Sequence, residues 1–321
     1  MIVVWRVTQR CTLACPFCAF DRRLPFPRAS ADPEAVAAFG AVLAEYRRAT
    51  GDEVLASWLG GEPLAWPPLR ALTERFVELG LRVSTTTNGT PLASASTRAH
   101  VVERYAELTV SVDAVGAAHD RLRGWAGGYE RLRGYVAALV EARRANGHGP
   151  RLRANVVLMR GGVGAFEALC GELAGWGIDE ITFNQLGGND RPEFFAANRL
   201  LPEQAEWLQA NVPRIRERLA ERGVRLAGGA GYLRRIQAST RGERIAVGDC
   251  APGRSFLFVD ERGMAAPCSF TVRDYGVPLA EIDSADALRG LPARFAELRR
   301  RHRAAPCGDC HATHVFEKFA A

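Results

Sequence analysis

"CTLACPFCAF", Cys11–Phe20, places three cysteines within eight residues. It follows an apolar run, Ile2–Thr8, that reads as a strand, so the thiols belong to the loop at that strand's C-terminal end. The chain has eight cysteines: Cys11, Cys15, Cys18, Cys170, Cys250, Cys268, Cys307 and Cys310. Close spacing of this kind points to metal or redox chemistry rather than to disulfides. Soft thiolates in a Cys-x3-Cys-x2-Cys pattern can converge on one iron–sulfur cluster. Three ligands to four irons leave one iron with an open position, and an open position is where a reactant binds. Taken alone, the trio also allows a zinc site completed by a distant fourth ligand.

Outward from this loop, apolar runs of strand length alternate with amphipathic stretches. Strands are expected at 2–8, 54–59, 82–87, 108–113, 152–158 and 180–186, with helices at 33–48, 69–79, 129–146 and 165–176. In the first helix Val36, Phe39, Val42, Leu43 and Tyr46 recur at helical spacing, and Asp32-Pro33 supplies a cap and first turn. Regular βα alternation implies a parallel sheet. Six units fall short of the roughly 250 residues of a closed eightfold barrel. The expectation is an α/β fold, a partial and open (βα)6 barrel over residues 1–186. Residues 187–249 read as a bridge holding one helix (202–222) and the Gly-rich "AGGAGY". Residues 250–321 read as a small α+β unit of short strands (255–259, 264–269), a helix (286–302) and a cysteine-rich end.

Composition sets outer limits. The 321 residues are 47% hydrophobic and 24% charged, ordinary for a globular protein. The net charge of +6 comes almost wholly from arginine, lysine being nearly absent, which reads as a compositional habit. "LRRRHR" at 298–303 is the one dense basic run and reads as a solvated helix face. No nucleic-acid module is visible. No apolar run reaches transmembrane length, and the N-terminus lacks the pattern of a secretory signal, so no membrane partner and a cytoplasmic location are expected.

Cys11, Cys15 and Cys18, with Phe17 before the last, resemble the signature of the radical S-adenosylmethionine superfamily. "GGEP" at Gly60–Pro63 resembles the same family's motif after the second strand. The resemblance implies a [4Fe–4S] cluster on the three cysteines whose open iron is chelated by the methionine moiety of S-adenosylmethionine. It also implies that backbone groups of Gly60, Gly61 and Glu62 hold the amino group, glycine allowing close approach to a ligand. "SVD" (Ser111–Asp113) and "HDRLRG" (His119–Gly124) give Ser111 and Arg123 contacts to the carboxylate and ribose, an Arg fork suiting a carboxylate. Leu186, in "QLGG", is expected near the adenine. Asn88, in "TTTNG", lies near the ligand or simply forms a turn.

Cys250-x12-Gly263-x4-Cys268, then Cys307-x2-Cys310, resembles the twitch domain, a shorter relative of the SPASM domain, with Gly263 in a hairpin turn. That implies a second, fully ligated [4Fe–4S] cluster on Cys250, Cys268, Cys307 and Cys310; a structural zinc is the alternative. The whole is most similar to aminocyclitol or aminoglycoside-pathway dehydrogenases of the butirosin type. In that reading a 5′-deoxyadenosyl radical abstracts hydrogen, a secondary alcohol becomes a ketone, and the auxiliary cluster accepts an electron. An external reductant such as flavodoxin or ferredoxin is implied. Asp190 and Glu193, in "GGNDRPEFF", either engage ammonium groups of an aminosugar or lie on a solvated connector. Arg153, Asn184 and Gln185 stand at plausible positions for a proton acceptor. Maturation of a ribosomal peptide is an alternative function. So is epimerisation using Cys170, although "AFEALCGELAGW" reads as a core helix in which Cys170 is a small buried hydrophobe.

Overall fold

The first strand, β1 (Ile2–Thr8), lies inside a ten-stranded sheet in the computed structural model, which describes residues 1–188 and 190–319. The strands that follow are β2 (Leu55–Gly60), β3 (Arg82–Thr87), β4 (Glu107–Ser111), β5 (Arg151–Leu158) and β6 (Glu180–Gln185). Beyond them come β7 (Arg225–Leu226), β8 (Phe256–Val259), β9 (Met264–Ala266) and β10 (Val277–Pro278). The order is β10-β9-β8-β1-β2-β3-β4-β5-β6-β7, so the sheet is open between β10 and β7. Every pair from β8 to β7 is parallel; the β8–β9 and β9–β10 pairs are antiparallel. The expected α/β partial barrel is therefore present, with short β7 and β8 flanking the six strands read from the sequence.

Helices cover the outer face. They are α1 (Pro33–Thr50), α2 (Leu69–Glu78), α3 (Ala95–Arg104), α4 (Ala117–Arg123), α5 (Gly128–Asn146) and α6 (Phe166–Gly175), then α7 (Pro192–Asn198), α8 (Pro202–Ala220) and α9 (Ala230–Arg241). Two more, α10 (Val272–Tyr275) and α11 (Ala285–Arg301), belong to the C-terminal part. Asp32 caps α1 through Glu34 N–H, Pro33 opens it, and Gly51 at φ 76° ends it. Alternation along the strands sorts the two faces. Val3, Trp5 and Val7 of β1 are buried in the core, with Trp5 edge-on to Phe39 of α1 at 5.7 Å. Trp58 of β2 meets Phe76 of α2 in the same way at 4.9 Å. The other face, including Ile2 and Val4, lines an open cavity.

After β8 joins β1, the chain turns at Gly263, φ 75°, whose N–H donates to the Asp260 carbonyl. The Asp260 carboxylate also accepts from Arg262 and Met264 N–H, closing the β8–β9 turn. The strand expected to reach Ser269 stops at Ala266, because Pro267 has no N–H for a ladder. No helix among the described residues is long and apolar enough to cross a membrane.

Candidate active site

The C-terminal rim of the sheet carries the cysteine loop, and two glycines hold it there. A Cβ on Gly60 would lie 2.1 Å from the Thr8 carbonyl oxygen, and one on Gly61 would lie 2.1 Å from that of Arg10. Gly61 and Glu62 N–H groups donate to those two oxygens at 2.8 Å each. The glycines therefore serve close approach to the backbone leading into the cysteine loop, besides the approach to a ligand that the resemblance implies. With both N–H groups engaged, the turn's carbonyls are what it can offer an ammonium. The Glu62 carboxylate is fully buried and ties β2 to β3, accepting from Thr87 Oγ1 at 2.8 Å, Asn88 N–H at 2.7 Å and Leu64 N–H at 3.2 Å. Burial, outweighing these donors, raises it to about 7. Asn88 does more than turn the chain: its amide lies 3.6 Å from Cys11 Sγ and 3.1 Å from Thr12 Oγ1.

The three thiols sense one another. Burial pushes Cys15 up to about 12, with the charges of Cys18 and Cys11 adding to it and Arg123 opposing. Burial also raises Cys11 and Cys18, and Cys11 adds to the rise at Cys18. Thiolates at such positions need a cationic partner, and N–H groups already point at two of them: Phe20 N–H stands 3.3 Å from Cys18 Sγ. No three His, Cys, Asp or Glu side chains among the described residues converge as ligands of one ion. Neighbouring thiols with N–H donors to sulfur fit a thiolate-bound metal centre.

Arg123, at the end of α4, is buried beside this loop. Its backbone carbonyl is 3.8 Å from Cys15 Sγ and its guanidinium stands 5.4 Å over the Phe17 ring. Its Nε is 2.7 Å from Asp113 Oδ2, a close ion pair whose N–H is not aligned for a hydrogen bond, leaving a buried donor without a partner. Burial works against the guanidinium's charge and Asp113 overrides it, so the arginine stays charged. His119, fully buried, accepts Asp113 N–H at Nδ1, and burial followed by the Arg123 charge lowers it to about 4. Asp113 and His119 stood inside the quoted motifs, but their pairing with Arg123 needs three-dimensional contact.

Ser111 ends β4 opposite Asn155, and Leu186 donates its N–H to Leu158 O beyond β6. No hydrogen bond links either to the cysteine loop among the described residues. Phe17 packs 6.2 Å from Phe194 of α7, so the loop after β6 covers the cysteine loop. Arg191 in that loop reaches Asp21 at 3.2 Å and pairs with Glu193 at 2.6 Å. Asp190 and Glu193 are exposed and do not line the cavity, which favours the solvated-connector reading; Asn189 lies outside the described residues.

Below the rim, the sheet's inner face lines a cavity of about 670 Å³ that is open to solvent. Ser57, Ser84, Thr86, Thr109, Asn155, Thr182 and Asn184 give its walls hydroxyls and amides. Four cations (Arg151, Arg153, Arg225, Lys318) face two carboxylates (Glu107, Glu180). Glu180 is held by Arg151, Arg153 and Arg225, and Glu107 by Arg153, so both carboxylates are already paired. Arg153 is thereby a locked cation rather than a proton acceptor. Cys170 is elsewhere, fully buried in the core on α6, where burial holds its thiol far above the ordinary range.

At the cavity's other end, Cys250, Cys268, Cys307 and Cys310 line one small pocket together with Tyr275 and Arg299. Cys268 lines both this pocket and the barrel cavity. Thr271 Oγ1 lies 3.3 Å from Cys268 Sγ, and Tyr275 OH 4.0 Å from Cys307 Sγ. Burial raises the Cys250, Cys268 and Cys310 thiols, and the neighbouring cysteines add to each. Arg299 presents a buried Nε with no partner. Four thiols around one pocket, beside an arginine whose Nε has no partner, fit an anionic thiolate cluster.

Comparison with known proteins agrees at the level of fold. Over 142 residues the chain is 29% identical to pre-heme d1 synthase of Dinoroseobacter shibae, covering 40% of this chain and 31% of that protein. It is 30% identical over 145 residues to AdoMet-dependent heme synthase of Methanosarcina barkeri, covering 44% and 39%. The matches thus span well under half the length of these relatives. Streptococcus suis SuiB bound to S-adenosylmethionine superposes with a TM-score of 0.66 at 17% identity, covering 98% of this chain and 72% of that one. Native anSMEcpe with bound AdoMet gives 0.65 at 14%, covering 92% and 82%. The cysteine loop, the Gly60–Pro63 turn, β2 to β5 and most of β1 fall within residues 5–161, the segment that matches the model of the radical SAM superfamily.

Proposed function

We propose that this chain is a radical SAM dehydrogenase that oxidises a hydroxyl-bearing carbon of a small polar substrate held in the barrel cavity. Cys11, Cys15 and Cys18 would hold one [4Fe–4S] cluster, and Cys250, Cys268, Cys307 and Cys310 a second. Gly60, Gly61 and Glu62 backbone groups, Phe17, Ser111, Arg123 and Leu186 would receive S-adenosylmethionine. When bound, these groups supply a 5′-deoxyadenosyl radical at the rim and an electron acceptor at the opposite end. The protein's part is to seat the substrate between them and to exclude water.

The observation that carries this reading is the cavity itself, which runs from the barrel walls to Cys268. Its hydroxyl and amide lining suits a polyol. Its excess of cations does not suit the cationic aminosugar that the resemblance suggested, because Glu107 and Glu180 are already bound to arginines. A neutral cyclitol fits better than an aminocyclitol. Burial of Cys170 outside the cavity weighs against epimerisation with that thiol as donor.

A second reading is modification of a peptide. SuiB has been crystallised with its precursor peptide SuiA, and anSMEcpe with peptides, on folds that cover 98% of this chain. The test separates them. Reconstituted enzyme is incubated anaerobically with reductant, S-adenosylmethionine and either myo-inositol, 2-deoxystreptamine or a peptide. Dehydrogenation appears as 5′-deoxyadenosine together with a product two mass units lighter. No 5′-deoxyadenosine under any condition overturns the radical reading, and its formation with peptide alone favours the second.

A further inference from the structure

The chain's 42 Lys+Arg residues include a single lysine, Lys318. Everywhere else a basic side chain was needed, arginine serves. Lys318 is also not on the surface. It is 7% exposed, on the C-terminal segment that follows the second cysteine set, and it lines the barrel cavity. Its Nζ donates to Asn184 Oδ1 at 2.8 Å. Asn184 in turn donates to Asn155 Oδ1 at 2.9 Å, which also accepts from Thr182 Oγ1 at 3.0 Å. These four side chains form one hydrogen-bonded run along the cavity wall.

An amine and a guanidinium differ in one respect that matters here: only the amine can give up its proton near neutral pH. The surroundings push it that way. Burial comes first and the Arg153 charge second, against Glu180, and together they lower Lys318 to about 7. The other charged groups of the cavity are neutralised among themselves or carry further positive charge. Arg151 and Arg225 pair with Glu180, and Arg153 joins Glu107 to it. On Lys318's own segment, Glu317 turns to Gly231 N–H and His314 stacks on Phe256 at 4.3 Å, while His311 pairs with Asp309. Among the described residues no carboxylate forms an ion pair with Lys318.

We propose that Lys318 is the acid–base residue of the cavity, its neutral amine taking the hydroxyl proton of the substrate as the carbon is oxidised. This rests on the dehydrogenase reading above. The balance is simple. Loss of one hydrogen atom from carbon leaves a hydroxyl-bearing radical; that radical gives its electron to an iron–sulfur acceptor and its O–H proton to Nζ, and the C–O single bond becomes C=O. Asn184, through Oδ1, orients the amine so that its lone pair remains available. Arg153 cannot serve, being unable to deprotonate, but its charge favours loss of the substrate proton.

A single lysine makes the test direct, because growth on 13C-labelled lysine labels one residue. The 13Cε signal of the labelled, reconstituted full chain is titrated. A midpoint within about one unit of 7 supports the proposal, and a midpoint at the ordinary lysine value of about 10.4 overturns it. Neither result requires a substrate or a variant. With the polyol that yields product, kcat should rise with pH through the NMR midpoint. Lys318→Met and Lys318→Arg should both lower it, by roughly 10²–10⁴-fold. Arginine keeps the charge, so full activity in Lys318→Arg would show a mere anchor and overturn the acid–base role. Absence of 5′-deoxyadenosine from the wild type would sink the dehydrogenase reading instead, leaving the titration result standing on its own.

Discussion

The α-carbon of Gly61 faces the carbonyl oxygen of Arg10 so closely that a Cβ would lie 2.1 Å from it, while the next N–H, of Glu62, donates to that same oxygen at 2.8 Å. One backbone oxygen thus fixes the distance between the Gly-Gly-Glu-Pro turn and the cysteine loop. Gly61→Ala should push the two apart, since backbone on backbone has no rotamer to yield. Displacement of about 1 Å at a reacting centre can cost on the order of 10²-fold in rate. Iron content and 5′-deoxyadenosine formation in Gly61→Ala check this; wild-type values for both would show that the approach is dispensable.

Asp113 and Arg123 form a buried pair, with side chains that are 0% and 9% exposed. Asp113→Asn keeps the shape and the bond that Asp113 Oδ1 accepts from Val157 N–H, but leaves the guanidinium charge uncompensated. The expected loss is about 3–5 kcal/mol of unfolding free energy. Urea denaturation at neutral pH measures it. A loss below about 1 kcal/mol would mean that solvent or a bound anion already balances Arg123.

Glu62 and His119 pull the pH dependence of stability in opposite directions. Burial raises Glu62 from the ordinary 4.5 to about 7, so its contribution is complete below pH 4.5 and is lost as pH rises through 7. Burial lowers His119 from 6.5 to about 4, so its contribution is complete above pH 6.5 and is lost as pH falls through 4. Each change is on the order of 3 kcal/mol. Between pH 4.5 and 6.5 the two nearly cancel in the wild type. Glu62→Gln should therefore show stability rising with pH across that window, and His119→Gln should show it falling. Parallel profiles for wild type and both variants would refute the assignment.

Much of this was legible in the sequence, and the gaps have physical causes. β1 and β3 begin and end where hydrophobic runs and turn residues place them, at Ile2–Thr8 and Arg82–Thr87. The two cysteine sets and the Gly60–Pro63 turn were readable because their residue types are chemically restrictive. β7 and β10 escaped because strands of two residues carry too little periodicity. The Gly-rich 227–231 stretch concealed a helix start: Gly229 is the N-cap of α9. The inner face was harder still. Glu107, Arg153 and Glu180 alternate with apolar residues as in a half-exposed sheet, yet they face a cavity, and only assembly of six strands reveals their mutual pairing. Lys318 lay in a tail with no pattern.

Cys170 offers a negative control. It is fully buried among core side chains on α6, away from the residues lining the cavity. Cys170→Ala should cost about 1 kcal/mol in stability, as a modest core truncation does, and leave the product unchanged. A product epimeric with the substrate in wild type but missing from Cys170→Ala would restore epimerisation as the function.

Cys268 is the cysteine at which the two sites meet, lining both the cysteine pocket and the barrel cavity. If four thiols hold a second cluster there, reconstituted wild type should contain about eight irons per chain and Cys268→Ala about four. The rim is untouched by this change, so 5′-deoxyadenosine should still form, while the product two mass units lighter should not, for want of an electron acceptor. A zinc in that pocket gives a different pattern: about four irons and one zinc in wild type, zinc lost in the variant, and no redox-active signal beyond the first cluster. Burial favours neutral thiols at Cys250, Cys268 and Cys310, so either metal must offset that preference, and loading should weaken as pH falls. Iron and zinc analysis together with product mass therefore decides whether this pocket carries electrons or only holds the C-terminal segment, and with it Lys318, against the barrel.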